Sequence, residues 1–161
     1  MTQIEFIQEN NRIRGEFLSI WILLEFTINI MITKYFGNND DKERMLEFET
    51  FIGKLKDSNT KLLAYKELTF KNSTDKVKAE EIYNKIYKWS KIRNHFAHSF
   101  IDIPVNVKYE DIKIIRFMAM GSTYNDKMQP EMVGEYDLSK HKETLDELHA
   151  ILLLLQSTFK A

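Results

Sequence analysis

The sequence predicts a mainly α protein, a bundle of four to five helices with a β-hairpin inserted before the last helix. Apolar residues recur three and four positions apart over most of the chain, which is typical of helices with one buried face. Only five glycines and two prolines interrupt 161 residues, and one β-branched stretch stands apart late in the chain. Because a chain of this length buries roughly 70% of its unfolded surface, we expect a single domain over residues 1–161.

The first predicted helix runs from Ile4 to Phe36. Its second half, Phe17 to Phe36, is apolar on all sides and as long as a membrane span. Glu25 and Asn29 lie four residues apart there and share a face. Because an ionised group near a bilayer centre costs about 2.5–3.5 kcal/mol, we favour a buried helix of a soluble bundle. Gly37 to Asp41 would end this helix.

Three further segments have helical character between the first helix and the β-branched stretch. A second helix is predicted from apolar positions spaced three and four apart, at Phe48, Phe51, Ile52 and Leu55. A short and weakly patterned helical stretch follows at Leu62 to Leu68. Ser73 to Asp75 offers an N-cap for the next helix, whose stripe consists of Ile82, Ile86, Trp89, Arg93 and Phe96.

The last third of the chain predicts a hairpin and one more helix. Ile112 to Met120 and Met132 to Tyr136 are rich in β-branched and aromatic residues, and a polar loop from Gly121 to Pro130 separates them. The last helix should begin near Ser139. Its apolar stripe is wider than one buried face requires, so it could serve both the core and a dimer contact: Leu145, Leu148, Ile151, Leu152, Leu154, Leu155 and Phe159.

Composition argues against several classes of protein. Lys plus Arg (23) nearly equal Asp plus Glu (24), so the chain lacks the basic excess that holds proteins on duplex DNA. There is no cysteine for a disulfide framework or a thiolate metal site, and the first residues lack the basic region of a signal peptide. We therefore expect a cytoplasmic protein.

The run Arg93-Asn94-His95-Phe96-Ala97-His98 concentrates a fixed cation, an amide and two imidazoles within six residues. Arg93 falls in line with the apolar stripe, and a permanent charge there needs a carboxylate, a phosphate or another chain as partner. Arg93 and His98 are about 140° apart on a continuous helix. They can meet on one ligand only if the helix ends near Phe96 or if a second subunit supplies one of them.

Three interpretations of this run compete. It could be a basic cluster at a helix end, where His95 and His98 favour the negative end of the helix dipole. It could bind a metal through the same two histidines, but no acidic residue lies at a ligand spacing and His141 and His149 fall on another helix. The third interpretation is metal-free phosphodiester chemistry, without any cofactor.

The third interpretation assigns each side chain a chemical role. A guanidinium binds a phosphate through two parallel hydrogen bonds and offsets the charge that grows on it. An imidazole, with an ordinary pKa near 6.5, can take the proton of a ribose 2′-hydroxyl or return one to the leaving 5′-oxygen. Asn94 would orient either group. Such a reaction cleaves RNA, leaves a 2′,3′-cyclic phosphate and fails on DNA.

Arg93, followed by the polar Asn94 and, after four intervening residues, by His98, resembles the signature of the HEPN superfamily. The resemblance implies a bundle of four or five helices that is often a homodimer, with the two motif copies meeting in a cleft. It also implies a metal-independent endoribonuclease acting as a toxin or antiphage effector, with an antitoxin protein as a possible partner. Arg93, Asn94 and His98 would be the catalytic residues, while His95 inherits no role.

Ile92 to Ser99 also resembles the mannitol operon repressor family, which is similar to HEPN proteins but regulatory. That resemblance favours a non-catalytic module that binds a nucleotide or another protein through the same residues. In either case Glu25, with Asn29 beside it, could face the motif and orient Arg93 or His98. The alternative is that Glu25 pairs with a lysine or reaches solvent at the edge of the bundle.

Overall fold

The structure, a computed structural model, describes residues 1–36, 58–72, 76–119 and 131–158. Four α-helices lie in these residues: α1 (Gln3–Phe36), α2 (Ser58–Asn72), α3 (Lys76–His98) and α4 (His141–Thr158). The strands are β1 (Phe100–Ile101), β2 (Ile114–Met118) and β3 (Met132–Asp137), with short 3-10 turns at Tyr109–Asp111 and Leu138–Lys140. The prediction of a mainly α protein is confirmed.

The helices of the described residues follow the predicted order, with shifted ends. α1 begins one residue before its predicted start and ends at Phe36 as expected. α2 is longer than the predicted Leu62 to Leu68, and its weak pattern has a physical reason, since its described buried side chains include only Leu62 and Tyr65. Several predicted features lie outside the described residues: the helix containing Phe48 to Leu55, the segments 37–41, 73–75 and 121–130, and Phe159.

The chain divides into two compact units. The first comprises Met1–Ile20 with Lys91–Glu147, and the second comprises Trp21–Ser90 with Leu148–Ala161. α1, α3 and α4 therefore each contribute residues to both units. The whole motif from Arg93 to His98, the sheet and the start of α4 belong to the first unit, while the single domain stays a prediction.

The sheet of the first unit is antiparallel, with the strand order β1-β2-β3. The predicted hairpin is present as β2 and β3, in which Phe117 pairs with Gly134 and Arg116 with Glu135. The prediction of a hairpin alone was incomplete, because β1 adds a third strand on the other side of β2. This strand has two residues and follows α3 directly, which is too short for strand alternation to show in the sequence.

An aromatic cluster forms the core of the first unit. Phe17 of α1, Phe96 of α3, Phe117 of β2 and Tyr136 of β3 are all buried. The Phe96 ring is 5.0 Å from each of the other three ring centroids, and it meets Phe117 and Tyr136 edge to face. Each such pair stabilises the fold by about 0.5–1.5 kcal/mol beyond its buried area. The centre of the motif is therefore anchored in this core.

The second unit buries an apolar stripe on each helix that contributes to it. On α4 the predicted stripe is mainly core, since Leu148, Ile151, Leu152 and Leu155 are buried. On α3, Tyr83 and Trp89 are buried as well. The α4 stripe is thus occupied within the chain, which leaves little of it for a dimer contact.

By length and composition, α1 contains a segment within Gln3–Lys34 that could cross a membrane. Within that segment the most apolar window is 39% buried. The core helix of a soluble protein meets the same criteria, so the cytoplasmic localisation stays a prediction.

Candidate functional site

The motif lies on the last two turns of α3, and the helix continues through His98. The first of the two conditions for Arg93 and His98 to meet, a helix that ends near Phe96, is therefore not met, because the amide of Ser99 still donates to the carbonyl of His95 over 2.9 Å. On this continuous helix Asn94 and His98 are four residues apart and share a face, whereas Arg93 starts about 140° from His98. His98 is exposed at the final helical position.

Arg93 is half-buried, as its place in the apolar stripe predicts. Its Nη1 donates a hydrogen bond to Oδ1 of Asn94 over 3.1 Å. This bond draws the guanidinium toward the face that Asn94 shares with His98, so the long arginine side chain narrows the angular gap set by the backbone. Because α3 continues to His98, the condition that remains for Arg93 and His98 to meet on one ligand is a second subunit that supplies one of them.

Arg14 of α1 holds the end of α3 in place. Its Nε donates to the carbonyl of Phe96, and its Nη2 donates to the carbonyl of Ser99 over 2.8 Å. The last carbonyls of a helix have no partner within the helix, and a cation there also opposes the negative end of the dipole. Arg14 is not among the site residues predicted from the sequence. Arg14 lies four residues after Asn10 and three residues before Phe17, which are both buried, so it shares their face of the helix. This spacing is the signal that could have revealed it.

His95 lies on the inner face of the sheet. Its ring stacks on Phe117, with 5.4 Å between centroids and 16° between planes. It also covers Gly134, where a Cβ atom would lie 2.7 Å from Nε2 and 2.8 Å from Cδ2 of the imidazole. Burial lowers the pKa of His95, since a charged imidazole loses hydration there. The resemblance gives this residue no role, yet the structure holds it in a defined position.

A hydrogen-bonded chain of Glu16, His141 and Tyr136 supports the same region. The Tyr136 hydroxyl is 2.8 Å from Nδ1 of His141, whose Nε2 is 2.9 Å from Oε2 of Glu16. The hydrogen bond from His141 is the main cause that lowers the pKa of Glu16, and burial raises the pKa of Tyr136. Because Tyr136 packs against Phe96, this chain ties α1, β3 and α4 to the motif. Nothing in the sequence spacing of the three residues predicts it.

Glu25 and Asn29, the predicted supporting residues, lie in the second unit and are both half-buried. Their shared face agrees with the spacing, but the Oδ1 of Asn29 is buried without a hydrogen-bond partner among the described residues. The orienting role of Glu25 toward Arg93 or His98 stays a prediction.

Among the described residues, no group of three or more His, Asp or Glu side chains could hold a metal ion.

Three aromatic residues precede the motif on α3. Tyr83 and Trp89 are buried, and Tyr87 stacks on Tyr83 with 6.0 Å between centroids. Tyr83 and Trp89 therefore belong to the packing of the second unit, whereas Tyr87 is exposed.

Comparison with known protein families, with curated proteins and with solved structures finds no match to this chain. The geometry of the motif is thus the basis for any functional assignment.

Proposed function

We propose that this protein is a metal-independent endoribonuclease of HEPN type that acts as a homodimer. The observation that carries the proposal is the end of α3, where Arg93 is bonded to Asn94 and Asn94 shares a helix face with the exposed His98. These are a phosphate-binding cation, an orienting amide and a proton-transfer group at the ordered end of one helix. The fixed position of that end, held by Arg14, supports a preorganised site.

In the proposed reaction Arg93 binds the scissile phosphate and offsets its growing negative charge. The ribose 2′-oxygen attacks phosphorus, the bond to the 5′-oxygen breaks, and a 2′,3′-cyclic phosphate forms. His98 carries one of the two proton transfers that this step needs, and Asn94 orients the reacting groups. The reaction requires the 2′-hydroxyl, so DNA is not a substrate.

A homodimer would supply a second copy of the motif, and α1 offers a surface for it. Ile22, Leu23 and Phe26 of the second unit are 62%, 53% and 57% exposed. Apolar side chains grouped on one helix face are typical of protein contact surfaces. The stripe of α4, which by its width could serve both the core and a dimer contact, is mainly buried, so α1 is the better candidate. A toxin or antiphage role, restrained by an antitoxin protein, would follow from the same family resemblance.

A non-catalytic regulator or nucleotide-binding module is the second candidate, as the resemblance to the mannitol operon repressor family suggests. The observation in its favour is the charge of the first unit, where carboxylates neutralise exposed cations. Arg12 pairs with Glu9 and Glu16, and Arg116 pairs with Glu135 over 3.3 Å. RNA-handling surfaces usually carry a basic excess, and this chain has a net charge of −1.

Cleavage of RNA by the purified protein in EDTA distinguishes the two candidates. We expect the wild type to cut a pool of single-stranded RNA of random sequence, and His98→Ala to lose at least about 100-fold in rate. His149→Ala is the matched control, because His149 is an exposed histidine of α4. Absence of cleavage by the wild type would reject the endoribonuclease in favour of a binding module, and full activity of folded His98→Ala would reject the assignment of the site to this motif.

A further inference from the structure

We propose that His95 is the second proton-transfer group of this site, the base that accepts the proton of the ribose 2′-hydroxyl while His98 protonates the leaving 5′-oxygen. This inference rests on the proposed endoribonuclease. It starts from a chemical requirement: cleavage in one step needs a base and an acid at the same time, and one imidazole cannot fill both roles.

The position of His95 meets that requirement. His95 and His98 are three residues apart on α3, so their side chains leave the helix about 60° from each other and on neighbouring turns. Asn94 falls on the other side of His98, about 40° away. The two imidazoles and the amide therefore form one continuous polar face at the end of the helix, and Arg93 is drawn toward it through Asn94.

The residues around His95 fit closely against its imidazole ring. Phe117 stacks on one face of the imidazole, and Gly134 lies beneath its edge. Since any side chain at position 134 would bring a Cβ atom to 2.7 Å from Nε2, glycine is required for the ring to lie there. Phe117 and Gly134 are paired across β2 and β3, so one pair of neighbouring strand residues fixes the imidazole.

Packing alone does not explain a histidine at this position. The ring is half-buried, yet its nitrogen atoms make no hydrogen bond with any described residue. Neither nitrogen is among the buried, unpaired polar atoms of the described residues, so the ring keeps a nitrogen in reach of solvent or of a ligand, which a phenylalanine stacked on Phe117 would not offer. A polar ring that is positioned but unpaired is what a proton acceptor awaiting its substrate requires.

The charged groups around His95 leave it able to act as a base. Arg116 and Glu135 on the packed strands pair with each other and alternate to the opposite face of the sheet. Arg14 of α1 is bonded to the carbonyls of Phe96 and Ser99. Burial lowers the pKa of His95 below its ordinary value, which keeps the imidazole neutral at pH 7. The proton lost by the 2′-hydroxyl goes to this imidazole, and the 5′-oxygen takes its proton from His98.

The first experiment uses an RNA that contains a sulfur atom in place of the leaving 5′-oxygen at a mapped cleavage position. A thiolate leaves without protonation, so the acid becomes dispensable while the base does not. On ordinary RNA we expect His95→Gln and His98→Ala each to lose at least about 100-fold. On the sulfur-containing RNA we expect His98→Ala to recover to within about tenfold of the wild type and His95→Gln to stay slow.

The outcomes separate the inference from the proposed function. If the wild type cleaves no RNA, the endoribonuclease and the role of His95 are both rejected. If the wild type cleaves and folded His98→Ala does not, while His95→Gln keeps the wild-type rate and pH profile, only the role of His95 is rejected. Recovery of His95→Gln in place of His98→Ala would contradict the assignment of base and acid.

A second measurement does not depend on the stability of any variant. The histidine resonances of the wild type are followed by NMR while a 2′-deoxy oligonucleotide of the mapped sequence is added. We expect the His95 and His98 signals to shift together and the His149 signal to stay in place. A His95 signal that does not respond while His98 does would overturn the inference.

Discussion

The two halves of α1 differ in what their side chains contact. In the first unit, Arg14 and Glu16 reach other elements and bond to the end of α3 and to His141. In the second unit, the helix presents Ile22, Leu23 and Phe26 to solvent. Buried polar atoms without a hydrogen-bond partner among the described residues occur in both halves: Oδ1 of Asn10 in the first, and Nε1 of Trp21, Oδ1 of Asn29 and Oγ1 of Thr33 in the second.

This difference separates two functions within one helix. The first half positions the motif, because Arg14 bonds to the end of α3 and Glu16 bonds to His141 of α4. The second half leaves apolar area uncovered, which an additional protein surface could bury. We therefore expect substitutions in the first half to affect the site directly and substitutions in the second half to act through assembly or core stability.

The largest effect is expected from Arg14→Met. The variant removes the bonds to the carbonyls of Phe96 and Ser99, and hydrogen bonds to charged groups contribute about 1.5–3 kcal/mol. We expect a free energy of unfolding lower by about 2 kcal/mol and RNA cleavage reduced by at least about tenfold, measured by urea denaturation and by the cleavage assay.

Arg12→Met is the control for that prediction. Arg12 lies on the same half of α1, but its bonds go to Glu9 and Glu16 at the surface. Exposed ion pairs of this kind contribute about 0.2–1 kcal/mol. If Arg12→Met and Arg14→Met were equally destabilised, the idea that Arg14 anchors the end of α3 would be wrong.

Phe26→Glu tests the second half of α1. A carboxylate on the exposed apolar face should prevent its burial by a second copy, so we expect a monomer by light scattering and at least about tenfold slower cleavage. Ile4→Glu is the matched control, since Ile4 is equally exposed at the other end of the helix. A wild type that is itself monomeric would contradict the proposed dimer.

Glu16→Gln should have a smaller and pH-dependent effect. The bond from His141 lowers the pKa of Glu16 in the folded state, so the unfolded chain binds the proton more readily and this stabilisation is present above about pH 4.3. Because the Glu16 side chain is 38% exposed and solvent screens the pair, we expect the variant to be destabilised by only about 0.2–1 kcal/mol at pH 7. That difference should disappear as the pH falls through the lowered pKa of Glu16, and a constant difference down to pH 3 would argue against the charged bond.

The smallest expected effect is an increase in the free energy of unfolding, in contrast to the decreases expected above. Thr33→Val removes a buried hydroxyl without a partner among the described residues, so we expect stabilisation of up to about 1 kcal/mol. Thr27→Val, six residues earlier, removes a hydroxyl that donates to the carbonyl of Leu23 over 2.9 Å and should give no such gain. Equal changes in the two thermal melts would show that the unpaired hydroxyl is not the cause.

Local patterns were sufficient for most of the fold. The spacing of apolar residues predicted α1, α3 and α4, and the β-branched runs predicted β2 and β3, because one buried face leaves a regular period in the sequence. Strand β1 and the full length of α2 were missed. In a two-residue strand no period can be seen, and α2 buries too few described side chains to show one.

The residues of the candidate site could be predicted from the sequence, but the residues that hold them in place could not. The half-buried position of Arg93 followed from its place in the apolar stripe, but the continuation of α3 to His98 did not, since no glycine or proline marks the helix end. Arg14, Glu16 and Gly134 act on the motif from distant parts of the sequence. Such contacts depend on how helices and strands pack, and single-sequence spacing does not contain that information.

The most direct test of the account is the chemistry of the cut. An RNA with a mapped cleavage position is compared with the same RNA carrying one 2′-deoxynucleotide there, both in EDTA. We expect a 2′,3′-cyclic phosphate end on the first RNA and no cleavage at the substituted position of the second. Cleavage at the 2′-deoxynucleotide, or a product with a 3′-hydroxyl end, would contradict it.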